Sequence, residues 1–309
     1  MKEGTASWTA RGVTLYRAIE STRPEDERAC YDPLAREFLR PEVRLLCRSR
    51  TMAKIMGLSL QRAGLAPSYY YVIARTAYID SCLEECIDDG IEQMVILGAG
   101  FDSRAYRFRE LEGKVSVFEV DHPATQQPKI ERIKKVLGAL PGHVVYVSID
   151  FESENLHERL LEGGYDPGLK TLFIWEGVVS YLTPEAVDGT LSSIAGNAGE
   201  GSTIVFTYTF RSFIEGTVGK RVRRYRAFMQ RKGEPHIFGL DKDTIGEFLL
   251  ARGFTLIENV TSGDLADTYI KHRDKVEKAS SHSAVVRAVL KPEAPEGVQE
   301  RTAHRIRVP

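Results

Sequence analysis

The sequence of 309 residues is poor in three features that would by themselves decide its class. Its four cysteines (Cys30, Cys47, Cys82 and Cys86) are too few for a disulfide framework and lack zinc-type spacing, so no metal site is predicted. It has no apolar run as long as a membrane span, and its first residues do not form a signal peptide. Its formal net charge of −1 implies no general attraction to nucleic acid or anionic lipid. These absences predict a globular protein of the reducing cytoplasm, with no nucleic-acid or membrane partner.

From about residue 93 onward, short apolar runs alternate with amphipathic stretches. The runs are rich in β-branched residues, a pattern typical of buried parallel strands separated by helices. The last two runs predict an antiparallel pair joined by a long connection over residues 261–282. The predicted strands are Met94–Leu97, Val115–Asp121, Val144–Asp150, Thr171–Trp175, Ser202–Tyr208, Phe254–Val260 and Ser283–Leu290. We therefore predict one doubly wound, mostly parallel α/β sheet.

Residues 1–90 show no strand alternation and predict a helical cap that packs on the sheet domain, residues 91–309. Asp32-Pro33 predicts a helix start, and a longer helix is predicted from Ser68 to about Asp88. A basic and aromatic stretch at about 210–236 interrupts the alternation. Because this cluster is short and the rest of the chain is not basic, it predicts a helical lid over a pocket rather than a nucleic-acid surface.

The first predicted strand ends in the turn Gly98-x-Gly100, which lets backbone approach a ligand closely. Asp121 ends the next strand about twenty residues later, the spacing at which an acid accepts hydrogen bonds from ribose hydroxyls. Ser103 replaces the third glycine of the dinucleotide fingerprint, and Asp102 would place negative charge against a pyrophosphate. S-adenosylmethionine (SAM) has no phosphate, so the turn favours SAM over NAD. A tight turn in another kind of α/β protein is the alternative.

Four further residues are candidates for ligand contacts. Arg75 could reach over the turn and bind a ligand carboxylate as a bidentate fork, the alternative being a solvated arginine on a helix face. Asp150 could accept from an adenine amino group while Phe151 packs on the ring, the alternative being a helix N-cap. Glu176 ends the fourth predicted strand, at the sheet edge where α/β proteins bind ligands.

Taken together, these stretches resemble the leucine carboxyl methyltransferase family of SAM-dependent methyltransferases, which also contains tetracenomycin-type polyketide O-methyltransferases. The resemblance implies a Rossmann-like, class I SAM-dependent methyltransferase fold with seven mostly parallel strands, an antiparallel edge strand and an N-terminal helical cap. The matching stretches follow family order over most of the chain: Arg17-Ala18 through Asp32-Pro33, Ala74-Arg75 with Ile79-Asp80, Leu97–Arg104, Phe118–Pro123 with Lys129, Asp150-Phe151, Glu176–Leu182 and Gly233–Gly239.

The resemblance also implies a role for each candidate residue. Arg75 would bind the SAM carboxylate, Gly98 the methionine portion beside the turn at Gly100, Asp121 the ribose, Asp150 and Phe151 the adenine, and Glu176 the ammonium, with Tyr181 near the methyl-transfer site.

The predicted activity is O-methylation of a carboxylate or hydroxyl oxygen on a small molecule or peptide. A carboxylate is already ionised at neutral pH and needs no general base, whereas a phenol would benefit from one. His122 and His236 are candidate bases, with a structural role favoured for both. The alternatives are an NAD-dependent oxidoreductase, a nucleic-acid methyltransferase and a non-catalytic SAM-binding protein.

Overall fold

The computed structural model describes residues 8–151, 153–216, 220–270 and 282–290. Its centre is a sheet whose strands are β1 (Gln93–Leu97), β2 (Ser116–Asp121), β3 (Val144–Ser148), β4 (Thr171–Trp175), β5 (Thr203–Thr209), β6 (Phe254–Thr261) and β7 (Ser283–Leu290). The strand order is β3-β2-β1-β4-β5-β7-β6. The seven predicted strands are therefore confirmed within two residues at each end.

The pairing of the strands confirms the predicted fold class. Strands β1 to β5 are mutually parallel, and their register aligns Leu97 with Val120 and Asp121 with Ser148. Strand β7 pairs antiparallel with both β5 and β6, so the antiparallel strand lies one position in from the edge of the sheet. Because β1 to β5 share one direction, the residues that follow them gather at a single carboxyl edge.

Helices cover both faces of this sheet and form the N-terminal part of the chain. They are α1 (Trp8–Glu20), α2 (Pro41–Leu46), α3 (Arg50–Arg62), α4 (Ala66–Asp88), α5 (Arg104–Arg107), α6 (Pro123–Leu137), α7 (Leu156–Glu162), α8 (Pro184–Asn197), α9 (Arg211–Ile214), α10 (Lys220–Arg231), α11 (Ile245–Leu250) and α12 (Ser262–Tyr269). Short 3-10 helices span Ala35–Phe38, Arg109–Leu111 and Val179–Tyr181. In the described parts of the chain, no helix combines the length and apolar character needed to cross a bilayer.

Helix α4 joins the N-terminal helices to the sheet. Ile79 and Leu83 belong to the apolar core beneath β1 and β4, whereas Tyr69 and Ile73 belong to a second core shared with α1. The predicted helix is thus confirmed, and both of its faces are buried. The division into a cap of residues 1–90 and a domain of residues 91–309 stays a prediction.

Local capping confirms one prediction and corrects another. Asp32 accepts from the backbone N–H groups of Leu34 and Ala35 at 3.1 and 2.9 Å, as expected of a residue that starts a helical turn. As a short acid that precedes an amphipathic stretch, Asp241 is a predicted helix N-cap. This prediction is wrong, because α11 starts four residues later and the Asp241 carboxylate pairs with Arg211 at 3.0 Å.

The predicted long connection between the last two strands contains α12. Thr261 caps this helix by accepting from the Asp264 N–H at 3.3 Å. The rest of that connection, residues 271–281, lies outside the described residues, as do residues 217–219 of the predicted lid.

Candidate cofactor and acceptor site

The turn after β1 requires glycine at both of its glycine positions. Gly98 has φ +65° and Gly100 has φ +45°, in the left-handed region that disfavours residues with a side chain. A Cβ added at Gly98 would lie 2.4 Å from Val178 Cγ2. The close approach expected at Gly98 is therefore already made within the chain, by the loop that follows β4.

Asp121 lies at the carboxyl end of β2 and faces this turn. Its Oδ2 accepts from the Gly100 N–H at 2.6 Å, and its Oδ1 accepts from the His122 N–H at 2.7 Å. Burial raises the pKa of Asp121, and the two backbone donors oppose that rise. Each carboxylate oxygen keeps a second lone pair, so both can still accept from a diol.

The other acid of β2, Glu119, points into the protein. It accepts from Lys129 Nζ and from the Tyr106 hydroxyl, both at 2.8 Å, and it is 1% exposed. Burial raises the pKa of Glu119, and Lys129 opposes that rise. Lys129 Nζ also lies 3.4 Å from the Ala99 carbonyl, so this pair supports the turn from below.

Glu176, directly after β4, is held between two arginines. Its Oε1 accepts from Arg75 Nε at 2.9 Å, and its Oε2 accepts from Arg104 Nη1 at 2.8 Å. Burial alone would raise the pKa of Glu176, but Arg104 and Arg75 lower it, so the group stays ionised. The structure thus brings together Arg75 and Glu176, to which the resemblance assigns the carboxylate and the ammonium of one amino-acid group.

Arg104 is the centre of the buried charge network. It is fully buried and donates to Asp80 at 2.8 Å, to Glu176 and to Asp102. Burial would raise the pKa of Asp102, but Arg104 and Arg17 lower it. The sequence analysis did not assign Arg104 a role. Arg104 is the first residue of α5, where its positive charge interacts unfavourably with the helix dipole. This unfavourable position is the one local feature that could have indicated a role for Arg104.

The N-terminal helices hold this network in place from outside. Arg17 of α1 donates to the Phe101 carbonyl at 2.7 Å and lies 3.2 Å from Asp32. Arg107 donates to Asp80 at 2.6 Å. Since each buried charge has an opposite partner, the network avoids the cost of an unpaired buried ion.

Asp150 and Phe151 follow β3 at the same edge of the sheet. The Asp150 carbonyl accepts from the Glu154 N–H at 2.9 Å, and the Asp150 N–H donates to the Glu154 carboxylate at 2.8 Å. Asn155, not Asp150, caps α7 by accepting from the His157 N–H at 2.9 Å. The half-buried Phe151 packs on the core of the sheet.

Tyr181 lies beyond Glu176, in the 3-10 helix Val179–Tyr181. Its hydroxyl is 3.0 Å from Nε2 of His236, and the two rings meet edge to face at 4.8 Å. Burial and the charge of Arg226 lower the pKa of His236 to about 4. The backbone N–H of Ile237 donates to the Ser180 carbonyl at 2.8 Å, which fixes the two segments to each other.

A cavity of about 310 Å³ lies between His236 and α10, on the side of the predicted lid. Its wall is part apolar and part basic, and is formed by Phe213, Arg223, Arg226, Ala227, Met229, Gln230, Pro235 and His236. The other candidate base, His122, caps α6: its Nδ1 accepts from the Ala124 N–H at 3.2 Å.

Comparison with known proteins places these elements in a family. The sequence profile of the leucine carboxyl methyltransferase family matches residues 10–195. The chain belongs to the leucine carboxyl methyltransferase family. Among its relatives in this group, YktD of Bacillus subtilis, provisionally named an S-adenosyl-L-methionine-dependent methyltransferase, is 33% identical over 65% of this chain and 66% of its own length. SCO7813 of Streptomyces coelicolor, with the same provisional name, is 32% identical over 67% of this chain and 70% of its own length.

Two solved structures share the fold at low sequence identity. A protein from Thermobifida fusca, provisionally described as a methyltransferase, aligns with a TM-score of 0.58 at 13% identity over 94% of this chain and 97% of that one. A DUF574 family protein from Streptomyces avermitilis aligns with the same TM-score at 14% identity over 94% of this chain and 99% of that one.

This leucine carboxyl methyltransferase family member is accordingly a SAM-dependent methyltransferase, as the resemblance implied. The residues at the carboxyl edge fit SAM chemically. Asp121 offers acceptors for a diol, and Arg75 with Glu176 offers a donor and an acceptor for an amino-acid group. The individual contacts of Arg75, Gly98, Gly100, Asp121, Asp150, Phe151 and Glu176 with SAM stay predictions, as does the role of Tyr181.

Proposed function

We propose that this protein transfers a methyl group from SAM to a carboxylate oxygen of a small acidic acceptor held beside α10. A hydroxyl oxygen is the second candidate. The observation that carries the proposal is the composition of the cavity wall: Arg223 and Arg226 supply positive charge, and Phe213 and Met229 supply apolar surface. A cavity of about 310 Å³ matches a small molecule better than a folded partner.

In this proposal the cofactor binds along the carboxyl edge of β1 to β4. Asp121 accepts from the ribose hydroxyls, and Asp150 with Phe151 holds the adenine. Arg75 binds the carboxylate of the methionine portion, Glu176 faces its ammonium, and the glycine turn approaches it through backbone atoms. The buried pairing of Glu176 with Arg75 and Arg104 supports this, because it fixes the donor and the acceptor before the cofactor arrives.

SAM supplies a methyl carbon activated by a sulfonium, so the protein's own task is alignment and exclusion of water. Arg223 and Arg226 would bind the anionic acceptor, and the Tyr181–His236 pair would position its reacting oxygen. With a pKa of about 4, His236 is neutral at physiological pH and is a weak base there. This favours an acceptor that enters already ionised, which describes a carboxylate and not an ordinary phenol.

The chemistry of the product separates the candidate functions. Purified protein is incubated with methyl-labelled SAM and a panel of aromatic acids that also carry a hydroxyl group, and the product is treated with mild alkali. A carboxylate ester releases labelled methanol, whereas a methyl ether keeps its label. We expect alkali-labile product. Alkali-stable product would assign the activity to hydroxyl groups. SAM binding without transfer to any of these acids, or to phenols and peptides added in a second panel, would favour a non-catalytic role.

The cavity arginines provide the test of the binding site. Arg226→Gln should raise the KM for the acid by about tenfold, because a hydrogen bond to a charged group is worth about 1.5–3 kcal/mol. The Kd for SAM should stay unchanged. Arg211→Gln is the matched control, because that arginine is exposed and pairs with Asp241 outside the cavity wall. Equal KM values for Arg226→Gln and Arg211→Gln would contradict this placement of the acceptor.

A further inference from the structure

Helices α2 and α3 carry an unusual share of the exposed apolar side chains. The described part of the chain has twelve large hydrophobic residues with substantial exposure, and five of them lie in these two short helices. They are Leu45, Leu46, Met52, Ile55 and Leu58, with exposed fractions from 41% to 66%. We call the exposed side chains of residues 40–62 the α2–α3 surface.

The exposed apolar residues of α3 do not belong to its packing face. That face is already used: Ala53 is fully buried, Met56 and Leu60 pack on the core shared with α1, and Gly57 would place a Cβ 3.6 Å from Ile19. Met52, Ile55 and Leu58 project from the opposite side, where a helix on the surface of a globular protein normally carries polar residues. A second apolar face with this clustering indicates a partner.

The charge of the same segment is strongly positive. Residues 40–62 contain six basic residues and one acid, whereas the whole chain has a net charge of −1. Five of these basic residues are exposed on the same two helices and the residues that flank them: Arg40, Arg48, Arg50, Lys54 and Arg62. The net charge of the whole chain gave no reason to expect an anionic partner, because acids elsewhere cancel this local excess.

We infer that the α2–α3 surface docks on an anionic lipid bilayer. Leucine, isoleucine and methionine side chains can enter the boundary between headgroups and acyl chains, while arginine and lysine reach the lipid phosphates. This inference does not rest on the proposed reaction.

Two other partners fit the surface less well. A second copy of the chain would bring two strongly basic surfaces face to face if the contact were symmetric, which repulsion disfavours. Protein interfaces concentrate their affinity in tryptophan, tyrosine and arginine, and residues 40–62 contain no aromatic residue. A bilayer requires no shape complementarity and so is compatible with flexible aliphatic side chains.

Vesicle flotation of the full chain tests the inference directly. The protein is mixed with vesicles of phosphatidylcholine alone, or of phosphatidylcholine with phosphatidylglycerol, and the bound fraction is measured. We expect binding to the anionic vesicles only, with a loss of about tenfold or more when the salt is raised from about 0.1 M to about 1 M, because salt screens surface charge.

Two sets of variants assign the binding to this surface. Met52→Gln, Ile55→Gln and Leu58→Gln together should reduce the vesicle partition coefficient by about tenfold or more, because three apolar side chains no longer enter the bilayer. Leu137→Gln, Leu250→Gln and Ile257→Gln together are the matched control, since these residues are 44%, 52% and 48% exposed on other elements. The control should bind as the unaltered chain does.

Thermal unfolding and SAM affinity of both triple variants establish that they fold. No binding to anionic vesicles by the unaltered chain would overturn the inference, as would equal binding by the two triple variants. If sedimentation shows that the α3 triple variant loses a self-association present in the unaltered chain, and vesicle binding is absent, the partner is a second copy and the bilayer is excluded.

Discussion

Asp121 and Glu176 are both acids at the carboxyl edge of the sheet, but their surroundings differ in kind. Asp121 accepts from two backbone N–H groups, and burial raises its pKa. Glu176 is also buried, but two arginines keep its pKa below the usual value. The environment of Asp121 suits a neutral diol. The environment of Glu176 suits a charged amino-acid group, because a carboxylate and two guanidinium groups are already in place there.

Substitution of Asp121 tests the ribose contact. Asp121→Ala should weaken SAM binding, measured by calorimetry, by about 1–3 kcal/mol, because buried polar groups lose their partner. Glu119 cannot take over this role, since its carboxylate is already engaged by Lys129 and Tyr106. Glu119→Gln serves as the comparison and should change the free energy of unfolding more than SAM affinity. Unchanged SAM affinity in Asp121→Ala would remove Asp121 from the site.

The Arg75 guanidinium should distinguish SAM from analogues that lack its carboxylate. Arg75→Lys should reduce SAM affinity by roughly tenfold or more, because an ammonium cannot reproduce a planar fork toward both a carboxylate and Glu176. Affinity for 5′-methylthioadenosine, which has no carboxylate, should stay nearly the same. Arg132→Lys on α6 is the control, since that arginine bonds to Glu37 away from the site. Equal losses for both ligands would assign Arg75 a purely structural role.

At the level of elements, the turn after β1 and the loop after β4 are interlocked. Gly98→Ala should destabilise the protein by several kcal/mol, because the new Cβ both meets Val178 Cγ2 and requires a positive φ. Adding Val178→Ala removes the contact with the new Cβ but leaves the backbone strain at residue 98. The double variant should therefore recover part of the lost free energy of unfolding, measured by urea denaturation. Additive effects of the two substitutions would show that the loops do not interact.

The elements also show which features a sequence can predict. Each strand is a short apolar run, and the runs of β1 to β4 lead into Gly98, Asp121, Asp150 and Glu176, so the strands and the carboxyl edge followed from pattern alone. Helix α12 was missed, although Thr261 and Asp264 form a capping pair, because the surrounding residues 261–282 carry no clear apolar period. Arg104 also bonds to Asp80 and Glu176, which are 24 and 72 residues away in sequence, and no local pattern predicts those two contacts.

For the molecule as a whole, burial of His236 predicts a specific loss of stability in acid. The folded pKa is about 4, whereas an unfolded histidine takes up a proton near pH 6.5. Above about pH 7 both states are neutral and the group has no effect; between about pH 6.5 and 4 the unfolded state binds the proton first, so the free energy of unfolding falls.

Chemical denaturation at several pH values measures this effect. His236→Gln should remove about 3 kcal/mol of the stability lost between pH 7 and pH 4, because the substituted chain has no imidazole to protonate when it unfolds. Parallel stability curves for the two proteins over that interval would contradict a buried, neutral imidazole.

The pH dependence of methyl transfer tests the central claim most directly, namely that the acceptor oxygen is ionised before it meets SAM. With a carboxylic acid acceptor, kcat/KM should be constant between about pH 6 and pH 9, because the acid is already ionised and no general base must lose a proton. The contradicting result is a kcat/KM that rises with pH, with an apparent pKa inside that interval, and that no longer does so in His236→Gln. It would show that His236 acts as a base and that the acceptor oxygen is not ionised before it meets SAM.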